Sequence, residues 1–238
     1  MTRLKVSESD YVIVYNSPGC ISASRAWWTL KAFGHKRVCV LNAFDIMIQV
    51  SVLNGGLNAW VSVAPDLVHS PSNTDPVKAD KTPYSSTFDQ SLVVSFQDVI
   101  KNKMMKKRVV LDARPAGRFL GQVPEPRPGL RSGHIPGMMI AVEIIEKGSK
   151  SVPFSDLFVD GDLTQFKAMD DLKKVLKEKI GDDTTDYITS CGSGVTAASL
   201  SLALHVACNK KLSQVPVYDG SWTEYGSKSD ADEAFVEK

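Results

Sequence analysis

The sequence predicts an α/β protein whose parallel sheets are flanked by helices, and three stretches carry that prediction. One is a strand, a tight glycine loop and a helix in direct succession: Tyr187-Ile188-Thr189 runs into Ser190-Cys191-Gly192-Ser193-Gly194-Val195-Thr196, and Ala197 to Cys208 follows without proline or glycine. Another is the opening alternation, in which the strand Tyr11-Val12-Ile13-Val14-Tyr15 leads through a loop, residues 16–21, to a helix bearing Arg25, Trp27, Trp28 and Leu30. Gly34 ends that helix, as a residue past a helix C-terminus does, and Val38-Cys39-Val40-Leu41-Asn42 gives the next strand. The third is a repeat across the chain. Asn54-Gly55-Gly56-Leu57-Asn58-Ala59-Trp60 and Asp219-Gly220-Ser221-Trp222-Thr223-Glu224-Tyr225 share Asn or Asp, Gly and an aromatic six places on, which argues for two homologous α/β domains.

The organisation follows in order. Residues 1–64 form a first, non-catalytic domain, in which Asn16 stands where Cys191 stands in the second, and Cys20 lies later in the loop. Val50-Ser51-Val52-Leu53-Asn54 repeats Val38-Cys39-Val40-Leu41-Asn42 at a spacing of twelve. One sheet position cannot hold both, and the second copy is expected in the sheet because it runs directly into Gly55-Gly56. Residues 65–90, rich in Pro, Ser, Asn and Asp, read as a linker. Residues 91–238 form the catalytic domain. In it Ser95 caps a helix over 96–102, Arg108-Val109-Val110-Leu111 is a buried strand ending at Asp112, and a long proline-rich loop over 115–136 carries Arg118, Arg127 and Arg131. Phe166, Met169, Leu172, Leu176 and Ile180 recur at helical spacing, and Gly181 closes that helix.

Composition narrows the chemistry. A net charge of +1 gives no bulk field for nucleic acid or an anionic membrane, and no apolar run reaches the length of a membrane span. The basic run 101–108 reads as a solvated helix end. Cys20, Cys39, Cys191 and Cys208 include no CxxC pair, the usage of a reducing compartment, and His35, His69, His134 and His205 lack ligand spacing, so neither disulfide nor metal is expected. The expected localisation is cytoplasmic.

Cys191 is the candidate nucleophile. A cysteine opening a glycine loop at a helix start faces backbone N–H groups and the positive end of the helix dipole, which lower a thiol pKa and favour thiolate. Gly192 and Gly194 are expected to take positive φ so that the loop can curl. Phosphatase chemistry is disfavoured, since His before the cysteine and Arg six places after it are replaced by Ser190 and Ala197. Ligands of an open parallel sheet lie beyond the carboxyl ends of its strands. The loop after Asp112 and the loop after Ser190 therefore converge, bringing Arg118 and Arg127 toward Cys191, where guanidinium forks suit a small carboxylate.

Cys191-Gly192-Ser193-Gly194-Val195-Thr196-Ala197 resembles the active-site loop of the rhodanese-type sulfurtransferases, in particular the 3-mercaptopyruvate branch. The thiosulfate branch carries cationic residues where Gly192 and Ser193 stand. Gly117-Arg118-Phe119, Pro124-Glu125-Pro126-Arg127 and Gly133-His134-Ile135-Pro136-Gly137 resemble that branch's substrate loop, and Asp219-Gly220-Ser221-Trp222 its closing segment. The resemblance implies two rhodanese-like domains with parallel sheets flanked by helices, the first incomplete. It lacks an opening strand–helix–strand that carries an Asp and a His, so an open edge and uncovered apolar faces are expected, including Trp27 and Trp28. It further implies Cys191 as nucleophile and Ser193 as proton handler, with Arg118 and Arg127 on the carboxylate and carbonyl of 3-mercaptopyruvate. Gly192, Gly194, Val195 and Thr196 supply the N–H cradle, and His134 pins the loop. A thiol such as thioredoxin, or cyanide, takes the sulfur from a monomeric enzyme without cofactor. The alternatives are a thiosulfate:cyanide sulfurtransferase, a non-catalytic sulfur carrier, and a mitochondrial location.

Overall fold

Alternating short apolar strands and helices build two parallel sheets in the computed structural model, which describes residues 6–17, 19–40, 61–62, 66, 84–136, 149–181, 185–228 and 236–237. Strand β1 (Val12–Val14) connects through helix α1 (Ala23–Ala32) to β2 (Val38–Val40), and the two strands pair in parallel with Ile13 opposite Cys39. Then come β3 (Val93–Val94), α2 (Phe96–Met105), β4 (Arg108–Asp112), the single turn α3 (Ala116–Phe119) and β5 (Lys150–Ser151). An antiparallel hairpin, β6 (Phe158–Val159) and β7 (Asp162–Phe166), precedes α4 (Met169–Ile180). The chain continues through β8 (Asp186–Ser190), α5 (Val195–Ala207), β9 (Val217–Tyr218) and α6 (Ser221–Lys228).

The larger sheet has the order β3-β9-β8-β4-β5 with every pair parallel. Its central pair, β4 and β8, runs in register from Arg108 opposite Asp186 to Asp112 opposite Ser190, and the Ala113 N–H donates to Ser190 O at 2.8 Å just beyond. The loops that follow these two strands therefore leave the sheet side by side, where an open parallel sheet places its ligands.

The period-two alternation of strand side chains divides the core between the two faces. Val109, Leu111, Tyr187 and Val217 point into a large cluster with the α4 and α5 side chains Leu172, Leu176, Leu200 and Leu204. Val110, Ile188 and Tyr218 point the other way, onto Val99, Trp222 and Tyr225. Helix α5 packs on α1, α4 and β8, which is why its apolar residues run all around it. At α2, the Ser95 hydroxyl accepts the Asp98 N–H, while the Asp98 carboxylate accepts from the Ser95 hydroxyl and the Ser95 N–H, which hold the Asp98 carboxyl below its ordinary pKa.

Three expectations are corrected. Trp27 and Trp28 are not uncovered: they are 3% and 4% exposed, in the same cluster as the α5 leucines, and Trp28 Nε1 donates to Leu92 O at 3.3 Å. Helix α1 covers that flank of α5, so the first unit and the second share one core; the outer face of β1 is open, with Ile13 53% exposed. Second, the first copy of the repeated strand lies in the sheet. Val38–Val40 is reached directly from α1 and is buried along its length beside β1, fixed by the Val12 N–H on Arg37 O at 2.8 Å. The second copy, residues 50–54, and the segment between lie outside the described residues, as do residues 67–83 of the linker. Third, Phe166 belongs to β7 rather than to a helix; the turn at Gly161, with φ +81°, folds it back so that its ring stacks on Phe158 at 4.2 Å.

Trp27→Ala is expected to destabilise the whole chain by about 3–5 kcal/mol, the usual cost of emptying an aromatic site in a core. A single urea transition followed by tryptophan fluorescence, with a lowered midpoint, is the expected result.

Candidate active site

Cys191 follows the last residue of β8 and is 2% exposed. Its Sγ accepts the Gly194 N–H at 3.1 Å, with Ser221 Oγ at 4.0 Å. Gly194 caps α5 in the left-handed region at φ +80°, the conformation that turns its N–H back onto the sulfur. Among the described residues Gly194 is the member of the expected 192–196 cradle whose N–H reaches Sγ. Ser193 is exposed at the rim, and Val195 and Thr196, half-buried, begin the helix.

Gly192 departs from the expectation of positive φ, and its lack of a side chain serves a different purpose. A Cβ there would sit 3.1 Å from Arg118 Nη2, so the glycine admits the guanidinium against the loop backbone. The start of α6 clamps the loop from the other side. Trp222 N–H donates to Cys191 O and Thr223 N–H to Gly192 O, both at 2.9 Å, while the Cys191 N–H donates to Ser221 Oγ at 3.2 Å.

The two predicted arginines both reach the Cys191 loop, by different routes. Arg118 comes from α3 and approaches Gly192 directly. Arg127 is exposed, and its Nη1 donates to Thr223 Oγ1 at 2.9 Å; Thr223 Oγ1 in turn donates to Gly192 O at 2.6 Å.

Behind them stands a buried ion network that sequence reasoning assigned no part. Arg114, 1% exposed, donates from Nε and Nη2 to the Asp112 carboxylate, from Nη1 to Glu125 Oε1 at 2.9 Å and from Nη2 to Gly133 O at 2.7 Å. Its guanidinium lies over the Trp222 ring at 4.3 Å. Glu125, whose side chain is 2% exposed, accepts Arg118 Nε at 3.1 Å and Arg118 Nη2. Asp112 thus holds Arg114, Arg114 holds Glu125, and Glu125 aims Arg118. The sequence signal was present in Asp112-Ala113-Arg114 and in a glutamate set between two prolines, but nothing in the spacing says that residues eleven apart pair underground. His134 pins the same loop as expected: Nδ1 bonds Phe119 O at 2.9 Å and the two rings stack at 3.9 Å.

Arg25 was also missed as a site residue. It reaches from α1, and its Nη1 lies 2.5 Å from Asp219 Oδ1 and 3.3 Å from Gly194 O. Of the other thiols, burial pushes Cys39 and Cys208 up in pKa, whereas hydrogen bonds from Ser22 lower that of Cys20, whose Sγ is 3.0 Å from Ser22 Oγ.

Arg114→Ala would leave Asp112 and Glu125 buried without their shared cation. Removing one partner of a buried pair costs about 3–5 kcal/mol, so a lowered urea midpoint is expected, together with slower modification of Cys191 as α6 loosens.

Comparison with known proteins gives a consistent picture. The rhodanese-like domain family matches residues 96–228. The chain is 34% identical to the mouse 3-mercaptopyruvate sulfurtransferase, with 93% of this chain covering 64% of that protein. It is also 34% identical to the chicken thiosulfate sulfurtransferase, over 94% of this chain and 66% of the relative. It therefore spans about two thirds of the length of the relatives it matches. The crystal structure of SseA from Escherichia coli, described as a 3-mercaptopyruvate sulfotransferase with the rhodanese fold, superposes with a TM-score of 0.64 at 31% identity, covering 92% of this chain and 69% of that one. The matched segment includes both loops that build the Cys191 site and exceeds half the sequence, and on that ground the chain belongs to the rhodanese-like domain family.

Proposed function

We propose that the chain is a sulfurtransferase that takes sulfur from 3-mercaptopyruvate onto Cys191 and passes it to a thiol or cyanide. The observation that carries this reading is the buried Cys191 Sγ, bonded by Gly194 N–H, in a loop met by both Arg118 and Arg127. The names of the mouse and Escherichia coli relatives support the donor.

The Cys191 thiolate attacks the donor sulfur, forming an S–S bond. The C–S bond breaks, its electron pair passes to the adjacent carbon as the enolate, and protonation releases pyruvate. Ser193, exposed in the Cys191 loop, assists this proton transfer. Glu125 holds Arg118 in place through Nε and Nη2; Arg118 takes the donor carboxylate, and exposed Arg127 takes the donor's carbonyl end. The resulting persulfide is stabilised by fixed N–H donors, as oxyanions are in acyl transfer. An acceptor thiolate such as that of reduced thioredoxin, or cyanide, then attacks the outer sulfur and Cys191 leaves as thiolate. No cofactor takes part, and the protein acts as a cytoplasmic monomer.

A second reading, thiosulfate as donor, is favoured by the chicken relative's name. The neutral Gly192-Ser193 pair opposes it, because a dianion needs more positive charge at the rim than that pair provides.

Incubation with 3-mercaptopyruvate should add one sulfur atom to the Cys191 peptide in mass spectra, and Cys191→Ser should abolish the addition. Sulfur appearing on Cys20 instead would overturn the assignment. Arg118→Ala and Arg127→Ala each delete a charge-assisted contact worth about 1.5–3 kcal/mol, so kcat/KM for mercaptopyruvate should fall roughly ten- to a hundredfold. Preference of the unmutated protein for thiosulfate would favour the second reading.

A further inference from the structure

Arg25 lies on α1, outside the segment that matches the family, and yet it is in contact with the cysteine loop. Its guanidinium rests on the Trp28 ring at 4.7 Å, and Trp28 is itself fixed in the shared core and by its bond to Leu92 O. From that platform Nη1 bonds both Asp219 and the Gly194 carbonyl. A Cβ on Gly194 would lie 2.6 Å from Arg25 Nη1 and 2.8 Å from Asp219 O, so the pair encloses Gly194 closely on its open side. Gly194 is also the residue whose N–H holds Cys191 Sγ at 3.1 Å.

We infer that Arg25 is a positioning residue for Cys191. It acts through Gly194, fixing the left-handed turn that aims the N–H at the sulfur, and it sets a cation against the loop at Gly194 as Arg118 does at Gly192. The inference rests on Cys191 being the reactive thiol of the proposed function but not on the identity of the donor. Arg25 is the link by which the first unit, residues 6–40, takes part in the chemistry of the second.

Charged groups face the loop from each element around it. Arg25 and Asp219 stand on the α1 side, Arg118 with Glu125 and Arg127 on the loop that follows β4, and Glu224 behind the first turn of α6, bonded to Tyr218 and Lys228. Deleting Arg25 leaves Asp219 as an unbalanced anion on its side, which opposes thiolate formation. Packing alone would be served as well by a neutral side chain of similar reach. Charge and geometry together would not, and this difference supplies the test.

The full chain and its Arg25→Ala, Arg25→Gln and Arg25→Lys variants are alkylated with iodoacetamide across pH, and modification of the Cys191 peptide is read by mass spectrometry. Because the thiolate is the species alkylated, the pH profile reports ionisation without any sulfur donor. Arg25→Ala and Arg25→Gln should move the midpoint to higher pH and slow labelling near neutral pH by roughly fivefold, as a loss of one partly exposed charge contact implies. Arg25→Lys should recover part of the rate, since it keeps the cation but lacks the planar guanidinium that rests on the Trp28 ring. If Arg25→Ala fails to fold, the Gln and Lys variants decide the matter between them. Identical profiles for the Gln variant and the unmutated protein would overturn the inference. A shifted profile with no sulfur transfer from mercaptopyruvate or thiosulfate would instead sustain Arg25 and remove the proposed function.

Discussion

The buried guanidinium of Arg114 is the interaction on which the site depends. Its Nε, Nη1 and Nη2 donors are divided among Asp112 at the end of β4, Glu125 and Gly133 O in the loop beyond, while its face carries the Trp222 ring of α6. Burying such a group is costly, and it is tolerable because both carboxylates are within hydrogen-bond distance and nearly as buried. One side chain therefore sets two things at once. Through Glu125 it orients Arg118, and through Trp222 it seats the helix whose first N–H groups grip the Cys191 loop. A lysine could not replace it, since a single ammonium lacks the planar fork that reaches two carboxylates and still stacks on an indole.

The elements legible in the sequence were those whose local chemistry agrees with their tertiary setting. The Ser95 cap, the breaker at Gly34 and the uninterrupted apolar run of α5 place α2, α1 and α5 within a few residues of their observed ends. The convergence of the Arg118 and Cys191 loops was also legible, because a parallel sheet leaves little choice about where its carboxyl ends point. What failed were judgements that depend on distant partners. Phe166 fits a helical period by coincidence, and its partner Phe158 decided for a strand. Val38 and Val50 open near-identical pentapeptides, so sequence could not say which is paired, whereas the short connection from α1 to Val38 could. Trp27 and Trp28 seemed exposed because their cover, α5, lies some 170 residues away in the chain.

That cover changes how the first unit should be regarded. With α1 seated on α5, the helix that follows the Cys191 loop is packed on one side by the first unit and on the other by the sheet of the second. Forces on α1 are then transmitted to the N-terminus of α5, where Gly194 sits. In a close-packed interior a helix cannot shift without displacing its neighbours, so the loop geometry is a property of both units together, although every atom of the loop belongs to the second.

The loop's glycine at 192 links donor choice to the same geometry. A side chain at 192 would begin with a Cβ 3.1 Å from Arg118 Nη2, tighter than ordinary contact. A cation on residue 192 would therefore crowd Arg118 against the backbone, and the guanidinium would have to give way slightly to admit it. With glycine at 192, the cation is a guanidinium whose Nε and Nη2 are already committed to Glu125. A planar fork held in one orientation matches a carboxylate better than a tetrahedral dianion, whose charge is spread over several directions. On the proposed reading, the absence of one Cβ is thus what adapts this cysteine loop to a keto acid: it lets a distant, rigidly aimed arginine do what a flexible cation on the loop itself would do less selectively.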